Sequence, residues 1–361
     1  MQSHEYYMQQ VLNLVKLVDV QTRPNPRVGA IVVANDEIVG IAAHLFAGDP
    51  HAEVYALQQA GKRAVGATLY VNLEPCAHFG RTPPCANLVV ESGITKVVIA
   101  SLDPNPLVAG QGVAILEAAG IEVIIGVCRD EALLSNQVFF HNIATNMPYV
   151  TLKAGLSLDG RIATKENLSQ WITCMESRRD AHQYRVTHEA ILVGINTVIQ
   201  DDPSLTAHLL SNPRRNPIRV ILDHNLRTPL TSKLVTDSVL PTWIYTTNND
   251  LTLQQKYNEH GVQVICLANL ELDIVLRDLY QKGVYSLLVE GGEQIYSSFI
   301  DAKLVNQIVC YYSPQLIGSK QAKHFYAGTG FANLQDNLQL KVTEVAQLGN
   351  DVKIVSQVIK S

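Results

Sequence analysis

Apolar residues recur along this chain with two different periods. Over residues 5–20, Tyr6, Met8, Val11, Leu12, Val15 and Leu17 fall at helical spacing and predict an amphipathic helix. The run Val28-Gly29-Ala30-Ile31-Val32-Val33, then Ile38-Val39-Gly40-Ile41 after Asn35-Asp36, predicts a β-hairpin. A helix is expected over 52–60, a strand over 67–71, a short helix over 85–92, a strand over 96–100, a helix over 112–119 and a strand over 121–125. Strands that look buried, alternating with helices, predict a layered α/β domain. A break near Asn146-Met147-Pro148 precedes a second series that begins at Tyr149. Its expected strands cover 190–194, 218–222, 262–267, 285–289 and 307–311, with a terminal pair at 340–347 and 351–358. The expected domains are therefore 1–147 and 148–361.

Composition narrows the class. A chain of 361 residues suits two domains of ordinary size, and 47% apolar content can fill two cores. No apolar run approaches the roughly 18 residues of a membrane span, so no membrane partner is expected. Met1-Gln2-Ser3-His4-Glu5 lacks the basic and apolar regions of a signal peptide. Six cysteines in a chain this long do not make a disulfide framework, and a cytoplasmic location is expected. The net charge is −5 without a long basic run, which argues against a nucleic-acid partner.

The candidate chemistry changes this picture most. His51-Ala52-Glu53 is followed by Pro75-Cys76 and, after eight further residues, Cys85. One histidine and two cysteines can hold a zinc ion and leave its fourth position for water, the arrangement of a catalytic site. Glu53 can carry protons beside it, which together describes hydrolytic removal of an amino group from a nucleobase-like ring. Two plainer alternatives stand at this point. His78 could complete a structural four-ligand site, or the cysteines could be buried free thiols. In the second half, Leu287-Leu288-Val289-Glu290-Gly291-Gly292 reads as a strand running into a glycine turn and a helix of about ten residues, a place where backbone N–H groups can meet phosphate. An ordinary tight turn fits the same residues. Lys153, Asp159, Arg185 and Asp201-Asp202 are expected near strand ends.

Over nearly its whole length the sequence resembles the bifunctional deaminase–reductase family of riboflavin biosynthesis. The N-terminal motifs are Pro24-Asn25-Pro26-Arg27-Val28-Gly29-Ala30, His44 with Ala47-Gly48-Asp49-Pro50-His51-Ala52-Glu53, the Cys76–Cys85 stretch, and Asp103-Pro104-Asn105-Pro106. The C-terminal motifs are Leu152-Lys153, Ser157-Leu158-Asp159-Gly160-Arg161, Ser169-Gln170-Trp171-Ile172-Thr173, Gly194-Ile195-Asn196-Thr197 with Asp201-Asp202-Pro203-Ser204-Leu205-Thr206, and Val289-Glu290-Gly291-Gly292. The long spacing between the cysteines is itself a feature of that family.

The resemblance implies a cytidine-deaminase-like three-layer α/β/α domain followed by a dihydrofolate-reductase-like α/β domain. It implies zinc on His51, Cys76 and Cys85, and Glu53 as the catalytic proton carrier. Asn25, His44, His78, Arg81, Asp103 and Asn105 would contact the deaminase substrate, a pyrimidine ribosyl phosphate. Lys153, Ser169, Arg185, Leu205, His208 and Glu290 would contact the reductase substrate. Gly155, Trp171, Thr197, Asp201, Gly291 and Gly292 would hold NADPH. A homo-oligomer, dimer or tetramer, is expected.

Two positions depart from the family pattern. Asn167-Leu168 stands where Gly-Glu is usual before Ser169, and His208 stands where arginine is usual, with Arg214 or Arg215 as possible substitutes. Two rival readings also fit parts of the chain: a deaminase whose second half only binds, and a non-catalytic zinc-stabilised binding protein. Glu53 argues against the second.

Overall fold

A computed structural model describes residues 2–18, 20–77, 84–105, 109–211 and 215–359. The chain divides into two units, Met1–Asn146 and Met147–Ser361. The first unit runs α1 (His4–Leu17), β1 (Gly29–Ala34), β2 (Glu37–Ala43), α2 (Ala52–Ala60), β3 (Thr68–Leu73), α3 (Cys85–Glu91), β4 (Lys96–Ser101), α4 (Gln111–Ala118), β5 (Glu122–Ile125), α5 (Arg129–Ser135) and α6 (Gln137–Thr145).

Its sheet has the order β2-β1-β3-β4-β5. The hairpin turns at Asn35 and Asp36, both in the left-handed region at φ 53° and 65°, as a two-residue primed turn requires. Alternation along β1 sends Ile31 and Val33 to one face, against Tyr7, Met8, Val11 and Leu12 of α1. Ala30 and Val32 face the other way, into a core shared with Ala52, Ala56, Leu57, Val89 and Leu116 of α2, α3 and α4. The strands are thus buried on both faces, the three-layer arrangement expected. Helix α2 lies directly on β2: a Cβ at Gly40 would stand 2.0 Å from the Ala56 carbonyl oxygen. That contact fixes the helix whose first turn carries the zinc motif. Helices α5 and α6 were not signalled by the sequence pattern.

The second unit runs β6 (Tyr149–Ser157), β7 (Arg161–Ala163), α7 (Met175–Thr187), β8 (Ala190–Gly194), α8 (Ile195–Asp201), β9 (Ile218–Leu222), α9 (Lys233–Thr236), β10 (Thr242–Thr246), α10 (Leu251–Glu259), β11 (Gln263–Cys266), α11 (Leu272–Gln281), β12 (Ser286–Val289), α12 (Glu293–Asp301), β13 (Gln307–Ser313), β14 (Lys323–His324), β15 (Leu340–Leu348) and β16 (Asp351–Val358). Nine strands form one sheet, β11-β10-β9-β8-β12-β6-β13-β16-β15. It is parallel as far as β13, and the terminal pair adds antiparallel strands at one edge. Ala190 and Leu192 of β8 face a core with α11 and α12, while Ile191 and Val193 face the core beneath α8, α9 and α10.

Strand β10 was absent from the sequence expectation. Its five residues follow Pro241 directly and are too short to show a period. Pairing on both sides, with β9 and β11, makes it a strand.

Candidate active sites

Local structure places the zinc motif at chain breaks between elements. His51 is the extended residue that precedes α2, and Glu53 sits in that helix's first turn, 3% exposed. Cys85 opens α3, and its backbone N–H donates to Cys76 Sγ at 3.3 Å. Cys76 itself lies in the loop after β3.

His51 Nδ1 lies 3.2 Å from Cys85 Sγ and 3.5 Å from Cys76 Sγ, and all three donor atoms fall within 4.8 Å of one another. Zinc bonds of about 2.0–2.1 Å to nitrogen and 2.3 Å to sulfur, at a tetrahedral angle, put the donors about 3.6 Å apart. The donor set and its spacing therefore fit zinc. Within the thiol pair, the hydrogen bond from Cys85, with His51 beside it, draws the Cys76 pKa down, while sharing with Cys76 and burial push that of Cys85 up. Burial also raises the Glu53 carboxyl, against the pull of His51. Among the described residues its Oε2 is buried without a hydrogen-bond partner, an orphan acceptor that a reacting water would satisfy.

His44 Nδ1 lies 3.2 Å from the Pro50 carbonyl oxygen, so that nitrogen carries the proton and Nε2 accepts from Asn25 Nδ2 at 3.2 Å. Burial lowers the His44 pKa, which favours this neutral form. The His44 ring meets the His51 ring edge-on at 5.6 Å. Asn25 and His44 are thus joined to the zinc motif. Asp103 and Asn105 lie on a loop gathered by a residue the sequence reading missed. Glu74, buried and two residues before Cys76, accepts from the backbone N–H groups of Asp103, Gly110, Gly112 and Val113 at 2.9–3.3 Å. A carboxylate directly before Pro75-Cys76 is the signal that could have drawn attention to it. His78 and Arg81 lie outside the described residues.

In the second unit one cavity of about 870 Å³ is lined by every residue proposed for substrate or cofactor: Lys153, Gly155, Ser169, Trp171, Arg185 and Thr197, and likewise Asp201, Leu205, His208, Glu290, Gly291 and Gly292. Three of them do not lie at strand ends as expected. Lys153 is in the middle of β6, where the period of two places it on the same face as Gly155, Arg185 is in the last turn of α7, and Asp201 is the last residue of α8.

Glu290, just past β12, is the hub. It receives two bonds from Arg185, Nε to Oε1 at 2.9 Å and Nη2 to Oε2 at 2.8 Å, and Lys153 Nζ lies 3.1 Å away. Burial would raise this carboxyl, but Arg185 and Lys153 prevail and hold it well below the usual range. Two cations on one carboxylate leave a net positive charge at this end of the cavity. Ser169 Oγ donates to Asp201 at 3.3 Å, and burial raises the Asp201 carboxyl. Trp171 is 66% exposed, with the Arg178 guanidinium 4.1 Å over its ring. His208 Nδ1 is 3.0 Å from Thr206 Oγ1. Arg214 is outside the described residues, and Arg215 pairs with Glu189 at 3.8 Å rather than lining the cavity. Arg178 and His182 were also missed. Their spacing with Arg185 (178, 182, 185) is that of one helix face, which is how the sequence could have shown them.

The turn after Glu290 fits a phosphate-bearing cofactor. Gly292 caps α12 at φ 85°, a conformation that side chains rarely adopt, and a Cβ there would stand 3.3 Å from Thr197 Oγ1. Gly292→Val is expected to weaken NADPH binding about tenfold or more while ammonia release from the first unit stays unchanged. Cofactor titration by fluorescence checks it, and an unchanged affinity in a folded variant would move the cofactor away from this turn.

Comparison with known proteins agrees with both sites. Residues 1–101 match the cytidine and deoxycytidylate deaminase zinc-binding region, and residues 148–354 match the RibD C-terminal domain. The riboflavin biosynthesis protein RibD of Bacillus amyloliquefaciens is 45% identical over 98% of this chain and 95% of its own. That of Escherichia coli K12 is 38% identical over 96% and 97%. The solved structure of Acinetobacter baumannii RibD (form 1) superposes with a TM-score of 0.86 at 40% identity, covering 99% of each chain. A Thermotoga maritima structure described as a diaminohydroxyphosphoribosylaminopyrimidine deaminase/5-amino-6-(5-phosphoribosylamino)uracil reductase superposes with 0.85 at 34% identity, again covering 99% of each. With a zinc-binding deaminase region, a reductase region and relatives matched from end to end, the chain belongs to the RibD family of riboflavin biosynthesis, zinc-dependent deaminases joined to NADPH-dependent reductases.

Proposed function

We propose that the first unit removes the 2-amino group of 2,5-diamino-6-ribosylamino-4(3H)-pyrimidinone 5′-phosphate, and that the second reduces the ribosyl side chain of the product to ribityl with NADPH. The single observation that carries the first step is the unpartnered, buried Glu53 Oε2 beside the closed His51, Cys76 and Cys85 set. These three residues would hold zinc, which when bound is a Lewis acid that makes water nucleophilic near neutral pH. Glu53 Oε2 takes one proton from the attacking water and gives it to the ring nitrogen, then carries the second, from the hydroxyl now on the ring carbon, to the departing amine, which leaves as ammonia as the carbonyl forms. His44, neutral and anchored on Pro50, fixes the Asn25 carboxamide, whose oxygen is left to accept from the ring or ribose. Glu74 holds the loop that presents Asp103 and Asn105 to the substrate.

In the second unit Lys153 and Arg185, locked on Glu290, bind the phosphorylated sugar, and Ser169 and Leu205 complete its seat. Gly155, Trp171, Thr197, Asp201 and the Gly291–Gly292 turn would hold NADPH, which supplies the hydride. We place the protein in the cytoplasm as a homo-oligomer. All six cysteines are free, and among the described residues no helix is long and apolar enough to cross a membrane.

Following ammonia release and NADPH absorbance separately on one substrate tests both steps. Ammonia without NADPH oxidation would favour the rival in which the second half only binds.

His208 lines the cavity near the cationic end and gives a further test. Arginine offers a permanently charged, bidentate donor where histidine offers one ring N–H. His208→Arg is expected to lower the reductase KM several-fold. An unchanged KM would remove His208 from the phosphate site.

A further inference from the structure

We propose that His182 is a substrate-binding residue of the reductase site, a neutral imidazole whose Nε2–H donates to an oxygen of the phosphorylated sugar. The inference rests on the reductase reading above. His182 lies on α7 one turn before Arg185, is 6% exposed, and lines the cavity that holds Lys153, Arg185 and Glu290. The backbone N–H of Leu209 stands 3.3 Å from its Nδ1. An amide N–H can only donate, so Nδ1 accepts and the ring proton sits on Nε2.

No protein group among the described residues bonds to Nε2, and the ring's other close neighbour is the edge-to-face ring of His208 at 4.8 Å. The Nε2–H is thus left open to the cavity, on a ring fixed from its other side, where a ligand oxygen can meet it. Its surroundings decide which kind. Burial, with Arg185 next, holds the His182 pKa down to about 3, so the ring remains an uncharged donor through the working range. The carboxylate among its charged neighbours, Glu290, is already engaged by Arg185 and Lys153. Among the described residues no acceptor is thus left for it, and next to two cations an anionic or hydroxyl oxygen of a ligand is favoured. A sugar phosphate offers both.

The test is calorimetric titration of the full-length protein with 5-amino-6-(5-phosphoribosylamino)uracil, using wild type, His182→Phe and His182→Gln. Phenylalanine keeps the ring and its contact with His208 but has no donor. It should weaken substrate binding about tenfold, raise KM more than it lowers kcat, and leave NADPH affinity unchanged. Glutamine, whose amide N–H reaches close to the position of Nε2, should recover most of the loss. In parallel, ¹⁵N spectra of histidine-labelled protein should show His182 protonated on Nε2 alone from pH 6 to 8. Wild-type substrate affinity in a His182→Phe protein that binds NADPH normally would overturn the proposal, as would a ring protonated on Nδ1. Should His182→Phe lose NADPH binding as well, the glutamine variant and the spectra decide. A wild-type protein that fails to bind the uracil substrate at all would overturn the reductase reading, and this inference with it.

Discussion

Glu53→Gln is expected to lower the deamination rate by about 10²–10⁴-fold with zinc content unchanged. Glutamine matches the shape of the carboxylate and fits the same pocket at the start of α2. It cannot take a proton from water at Oε2, the atom that the fold leaves buried and unpartnered. Because the proposed zinc donors are His51, Cys76 and Cys85, metal analysis should still give full occupancy. The second unit has cores of its own, so NADPH oxidation with substrate that is already deaminated should continue at the wild-type rate. Normal ammonia release from zinc-loaded Glu53→Gln protein would take the proton-carrying role away from Glu53.

Cys85→Ser should remove zinc and deamination together. Cys85 is 1% exposed, opens α3 and shares a side-chain hydrogen bond with Cys76, so one substitution strikes a ligand and its neighbour's partner. A hydroxyl keeps its proton at neutral pH and brings neither the charge nor the softness that zinc draws from a thiolate. Losing a ligand that binds only the folded state also lowers apparent stability by mass action, so the first unit should unfold at a lower temperature than in the wild type. NADPH affinity should not change. Cys76→Ser should behave in the same way. Full zinc occupancy in both variants would place the metal on other residues.

The relation between sequence and structure differs between the two sites. The zinc motif was legible because its parts lie in short, separately recognisable stretches: a histidine and a glutamate two apart at a helix start, and cysteines beside prolines. The strand β10 was not legible, because a five-residue run acquires its identity from neighbours on both sides. Glu74 was not legible either. Its function comes from four backbone N–H groups of a loop and the first turn of α4, some thirty to forty residues further on, and nothing in the local pattern records that closure.

By itself the sequence marked out the two-unit α/β organisation, the candidate metal donors with a candidate proton carrier, and the glycine turn after β12. Each of these depends on residue type and short-range spacing. Family resemblance supplied the names of the reductase residues. Only the tertiary structure brought Lys153 from the middle of β6 and Arg185 from α7 onto the Glu290 carboxylate, and turned His182 into the same cavity. Lys153 and Glu290 are more than a hundred residues apart in the chain, and periodicity carries no information over that distance. They meet because β12 pairs directly with β6 and α7 packs where its polar face lines the cavity, so that the buried carboxylate is stable only with both cations in place.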